Sequence, residues 1–173
     1  MKPFLLSLLI ACPLAAHAVA IGDFALYTFT GTDGTVRNDA WEITGTFTQS
    51  DGSRSVFGDF VEGGSSIDTS AGGPNFLMSA DQINRLMHSA DSEANCFSEG
   101  VAQAKSATLE TLPVLNQSMR ACHVGDTWYG NVPFGGIKWS TSGCTAENAD
   151  NCGKNGTSTL TAFHFGPSFG PQP

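Results

Sequence analysis

Apolar and polar residues alternate along most of this chain, and because strand side chains repeat every two residues the alternation predicts a sheet. The clearest run is Trp41 to Thr48, where Trp41, Ile43, Gly45 and Phe47 share one face and Glu42, Thr44, Thr46 and Thr48 share the other. Thr157 to Phe165 repeats the pattern, with Thr157, Thr159, Thr161, Phe163 and Phe165 set against Ser158, Leu160, Ala162 and His164. Phe24 to Thr30 and Ser55 to Glu62 read as further strands. The second is joined to the Trp41 run by Asp51-Gly52, a dipeptide that predicts a tight hairpin with positive φ at both central residues. Val101 to Leu112 reads as one long strand that returns through Met119 to Val124, with Asn116-Gln117-Ser118 at the turn. Trp128 to Trp139 reads as strand, turn, strand.

One segment departs from the two-residue period. Ser79-Ala80-Asp81-Gln82 has the form of a capping box, and Ile83, Leu86, Met87 and Ala90 follow at helical spacing. Such a face must be buried, and the aromatic side of the sheet is the surface available to it. The predicted fold class is therefore α+β, mostly antiparallel β: a curved sheet or half-barrel with one amphipathic helix packed on it. Asp91 to Glu99 reads as an acidic connection, and Gly63 to Pro74 as a loop rich in turn residues.

The first residues change the picture of where the domain begins. Lys2, the apolar run Phe4 to Ala11 and the small residues Ala16, Ala18 and Ala20 have the layout of a cleavable secretory leader. Cleavage after Ala20 leaves a single β-rich domain over 21–165 and a Pro/Gly-rich tail over 166–173. No second apolar stretch is long enough to cross a bilayer as a helix, so no transmembrane segment is expected in the mature chain. Leu9-Ile10-Ala11-Cys12 also resembles a lipobox, a less favoured alternative because Pro13 follows the cysteine directly. The expected location is periplasmic or extracellular.

Eight Lys and Arg stand against sixteen Asp and Glu, a net charge of −8. Nucleic-acid binding depends on neutralising phosphates, so this balance excludes nucleic acid as an expected partner. Four cysteines follow the leader, and an even count in an exported chain predicts two disulfides. Among the alternative pairings, Cys144 with Cys152 would close a polar loop and Cys96 with Cys122 would tie the end of a helix to a strand. A zinc site is the rival reading, but the sequence has no Cys-x-x-Cys pair and its histidines are scattered, so no metal and no cofactor are expected.

The strands from Glu110 onward carry a resemblance. Glu110-Thr111-Leu112-Pro113-Val114, a turn, a return strand over Met119 to His123, Trp128, Val132-Pro133-Phe134-Gly135 and Ile137-Lys138 follow one another before a closing strand. This order resembles bacterial envelope proteins whose text runs Glu-Thr-Val, Pro-Ala-Gly turn, Trp-bearing strand, Val-Pro-Phe-Gly and Val-Lys, and which are similar to the half-barrels of the LolA and LppX lipoprotein-carrier superfamily. The chain departs from that text at Leu115-Asn116-Gln117-Ser118 and in the Cys144 to Cys152 insertion. The resemblance implies a sheet curled around a helix or loop, with an apolar groove that takes acyl chains.

Catalytic motifs do not shift this picture. There is no Gly-x-Ser-x-Gly elbow and no His-Glu-x-x-His. Asp59 and Glu62 would point to opposite faces of a strand, and His123 and His164 would have to meet across neighbouring strands. The expected function is a non-enzymatic exported binding protein for a lipid or other apolar small molecule, with Trp41, Ile43, Phe47, Ile83, Leu86 and Met87 as candidate lining. The alternative is an envelope or extracellular protein-interaction module that uses the Cys144 to Cys152 or Gly63 to Pro74 loop. A small outer-membrane barrel is third.

Overall fold

The computed structural model describes residues 17–64, 74–101, 106–141 and 155–166. The expected Cys144 with Cys152 bridge and most of the Gly63 to Pro74 loop lie outside them. The described strands are β1 (Phe24–Gly31), β2 (Val36–Thr48), β3 (Arg54–Glu62), β4 (Phe76–Ser79), β5 (Ala107–Val114), β6 (Gln117–Val124), β7 (Thr127–Tyr129), β8 (Gly136–Thr141) and β9 (Gly156–His164). All pair antiparallel in one sheet of order β4-β3-β2-β1-β9-β8-β7-β6-β5. The sheet is curved and open, so the molecule is an α+β half-barrel.

Two helices, α1 (Ala80–His88) and α2 (Glu93–Val101), connect one edge strand to the other. α1 lies by β3 and β4, and α2 by β5 and β6. The sequence led us to expect one helix, an acidic connection over Asp91 to Glu99, and a strand from Val101. α2 replaces that connection, and the strand starts only at Ala107. Ser92 explains the start, since its Oγ accepts the N–H of Asn95 at 3.1 Å as a helix cap does.

The alternation is interrupted by bulges that move residues between faces. In β2 the register shifts between Ile43 and Gly45, so Thr44 is an extra residue on that strand. Gly58 sits opposite Ile43, and a side chain there would collide with the carbonyl oxygen of Glu42. Beyond the shift, Phe47 no longer shares a face with Trp41 and Ile43. In β9 the shift falls opposite Leu26 and Tyr27, leaving Thr161 unpaired, and both Leu160 and Phe163 pack on the main core although simple alternation separates them.

The turns differ from expectation in an informative way. At the β2–β3 hairpin only Gly52 has positive φ, at 84°, and Gln49 and Ser53 close a longer loop through a 2.8 Å backbone bond. Asp51 Oδ1 accepts from the hydroxyl of Ser53 at 2.6 Å and from its N–H at 2.9 Å, which holds the Asp51 carboxyl below its usual range. The two-residue turn with positive φ at both positions is at the other hairpin: Leu115 at 49° and Asn116 at 65°, between the paired Val114 and Gln117.

Cys96 and Cys122 form a disulfide, with Cα atoms 5.3 Å apart, that fastens α2 to β6. Neighbouring residues on β6 serve different clusters. Ala121 belongs to the main core, while Cys122 joins Cys96, Ala107 and Val124 in a second, smaller one.

Candidate functional site

Five of the six expected lining residues, all but Phe47, converge on the space between α1 and the sheet. Ser79 caps α1, its Oγ accepting the N–H of Gln82 at 3.3 Å, and the helix then buries Ala80, Ile83 and Met87. Leu86 is half-buried. Ile43 enters from β2 fully buried, and Trp41 packs beside it on the same core. Phe47 does not take part: after the Thr44 bulge it is 42% exposed and its ring lies 6.4 Å from that of Phe57.

Part of that space is occupied by the chain's own Phe134. The loop between β7 and β8 turns back under α1 and drives Phe134 into the core, where its ring lies 5.8 Å from Trp41 and 5.9 Å from Phe76. Trp41 and Phe76 are 5.3 Å apart, so the three rings form a closed triangle. Phe134 adopts φ of 63° to reach this position, and Gly135 follows at 75°. A Cβ on Gly135 would come within 2.6 Å of Leu86 Cβ, so only glycine lets the loop and helix approach this closely. Sequence reasoning did not include Phe134 or Phe76 in the lining; the Pro-Phe-Gly turn was the available signal.

A polar cluster occupies the β5 to β8 strands. Glu110 accepts a hydrogen bond from Trp128 Nε1, and His123 Nδ1 lies 3.4 Å from the same carboxylate oxygen. The His123 and Trp128 rings stack at 4.1 Å and 12°, and Lys138 Nζ sits 5.0 Å from the Trp128 ring centre. Strand order explains the sandwich, since β6, β7 and β8 are consecutive and place these three side chains in a row. The cluster satisfies itself. It brings a carboxylate and an imidazole together, with Thr108 opposite His123 on the neighbouring strand. His164 lies apart because β7 and β8 separate its strand from β6; it stacks on Phe24 at 5.2 Å instead.

Other polar groups are structural in the same sense. Tyr27 is buried and donates its hydroxyl to the carbonyl of Gly136 at 2.9 Å, while burial pushes its phenol far above the usual value. Arg37 bridges Asp39 at 3.1 Å and Glu62 at 2.6 Å. Among the described residues no three His, Cys, Asp or Glu side chains are placed to hold a metal ion.

A different surface stands out on the opposite side of β2, β3 and β4. Phe57 pairs with Leu77 across one strand boundary and with Gly45 across the other, where its ring covers the glycine. Phe47 lies two residues beyond Gly45 on the same face, and Leu77 is 62% exposed. The exposed Phe47 and Leu77 thus flank the half-buried Phe57 in an apolar row that ends at β4, an edge strand of the sheet. No family model, curated protein or solved structure matches the chain.

Proposed function

We propose that this chain is an exported, non-enzymatic binding domain that engages a protein partner through the row Phe47, Phe57 and Leu77 and the adjoining edge of β4. The observation that carries the reading is the contrast between the two faces of β2 to β4. The face toward α1 is packed with Trp41, Phe76 and Phe134, whereas the opposite face leaves Phe47 and Leu77 in water beside a strand that has one edge unpaired among the described residues. An extended partner segment adding to β4 would gain backbone hydrogen bonds from the edge and apolar burial from the row. The leader-like first residues and the Cys96–Cys122 disulfide support an oxidising, extracytoplasmic setting.

Carriage of a lipid or other apolar ligand, as in the LolA and LppX carriers, is the second reading, favoured by the open curvature and by the aromatic residues beneath α1. It requires an acyl chain to take the place of Phe134 or Phe76.

The test compares wild-type protein with the Phe47→Glu/Leu77→Glu double variant. Both positions are exposed, so folding should be unchanged. Cross-linking in the extracytoplasmic fraction of the native host should give a defined partner that the variant captures roughly tenfold less well. Equal capture by both proteins would sink the surface reading. Native mass spectrometry of the same preparation separates the alternatives, since a copurifying lipid that survives the double substitution favours carriage.

A further inference from the structure

Residues His17 to Asp23 are packed as part of the domain. Val19 is 3% exposed and lies in the main core, and its N–H donates to Asn84 Oδ1 on α1 at 2.8 Å. Asp23 is fully buried. Its Oδ2 accepts the N–H of Ala20 at 2.9 Å, and its Oδ1 accepts the N–H of Gly166 at 2.8 Å and lies 3.2 Å from His17 Nε2. The His17 ring also packs on Phe165, with centroids 4.0 Å apart. The segment therefore ties the start of β1, the end of β9 and the first helix into one knot, and it holds Gly166, the first residue of the Pro/Gly-rich tail.

We infer that the leader is cut between Ala16 and His17, so that His17 to Ala20 remain as the first residues of the folded protein; the inference rests on the export reading. In this step water adds across the Ala16–His17 amide, Ala16 departs with the leader as a carboxylate, and His17 keeps a new α-amino group. The A-x-A pattern places cuts after Ala18 and Ala20, and Ala16 offers a third with a small residue next to the bond and Leu14 two residues before it. A cut after Ala20 removes Val19 from the core, takes the N–H partner of Asn84, and strips a buried carboxylate of His17 and the Ala20 amide. Of its described partners the carboxylate would keep the Gly166 N–H alone, and a buried carboxylate that loses partners is costly. A cut after Ala18 also removes His17 and turns the Val19 amide into an ammonium at a position 3% exposed, where the described acceptor is one neutral side-chain carbonyl. Only the cut after Ala16 sets the new charge on His17, which is half-buried and followed by the exposed Ala18. Both Asp23 and Val19 then keep every described partner.

Intact-mass measurement and N-terminal sequencing of the exported protein from its native host test this directly. The expected first residue is His17. A mature chain starting at Val19 or Ile21, or at a lipidated Cys12, overturns the inference while leaving export intact. Full-length, unprocessed protein retained in the cytoplasm overturns both. A second measurement compares chains made without a leader: one beginning at Ile21 should melt roughly 5 °C or more below one beginning at His17. Equal melting temperatures would count against retention of the segment.

Discussion

The two helices are consecutive and equal in length, nine residues each, yet different forces hold them. α1 has a serine cap and three buried residues, and it rests on the larger of the two cores among the described residues. α2 buries Cys96, leaves Phe97 52% exposed, and is held to β6 by a disulfide. A nine-residue helix is too short to persist alone in water, so each needs tertiary support. α1 receives it from apolar burial and α2 from a covalent bond. A short helix with a weak apolar stripe can therefore be kept in place when one of its few buried residues is a half-cystine.

The strongest way to break this contrast is to empty the space beneath α1. Phe134→Ala removes one corner of the Trp41, Phe76, Phe134 triangle, and deleting a buried ring should cost about 3–5 kcal/mol. Denaturant midpoints measure the loss, and amide exchange should show α1 losing protection. A cost below about 1 kcal/mol would mean that the core collapses readily and that Phe134 is not the wedge described. The complementary change is Cys96→Ser with Cys122→Ser, which opens a loop with a sequence separation of 26 residues. The loss should be roughly 3 kcal/mol. Exchange in α2 should then rise while α1 stays protected; equal deprotection of both helices would show one cooperative unit and dissolve the distinction.

The same contrast explains what could be read in advance. The fold class, the antiparallel strands, α1 with its cap and the Cys96–Cys122 pair were legible because each rests on a local signal: period, capping residue or cysteine position. α2 was not: Ala94, Phe97 and Val101 recur at helical spacing, but Phe97 is exposed and the buried Cys96 lies off that row, so the apolar spacing does not mark the packed face. That Trp41, Ile43, Ile83, Leu86 and Met87 gather between α1 and the sheet was legible from the two periods. Phe47 was misplaced because a bulge at Thr44 is set by pairing with β3, and alternation counted along one strand cannot detect it. Phe134 was missed because its burial depends on a loop doubling back beneath a helix some fifty residues earlier in the chain, a contact with no period to betray it.

The finest distinction between the two regions concerns the hairpin at the far end of the sheet. β5 and β6, the strands α2 lies against, are joined by a two-residue turn in which Leu115 takes φ of 49° and Asn116 65°. Such turns require left-handed backbone at both central positions, where Asn and Gly are at ease and a branched apolar side chain is not. Leu115 is 39% exposed, so it gains little burial in return. Leu115→Asn should relieve the turn and raise stability by about 0.5–1 kcal/mol, read as a higher denaturant midpoint with unchanged slope. Leu115→Gly should gain less, because glycine also widens the unfolded ensemble. If the hairpin and α2 behave as a region separate from α1, the added protection in hydrogen exchange will appear in β5, β6 and α2 and leave α1 unaltered. A loss of stability in Leu115→Asn would show that the leucine contributes packing that outweighs its backbone strain, and that the turn is held by its side chain.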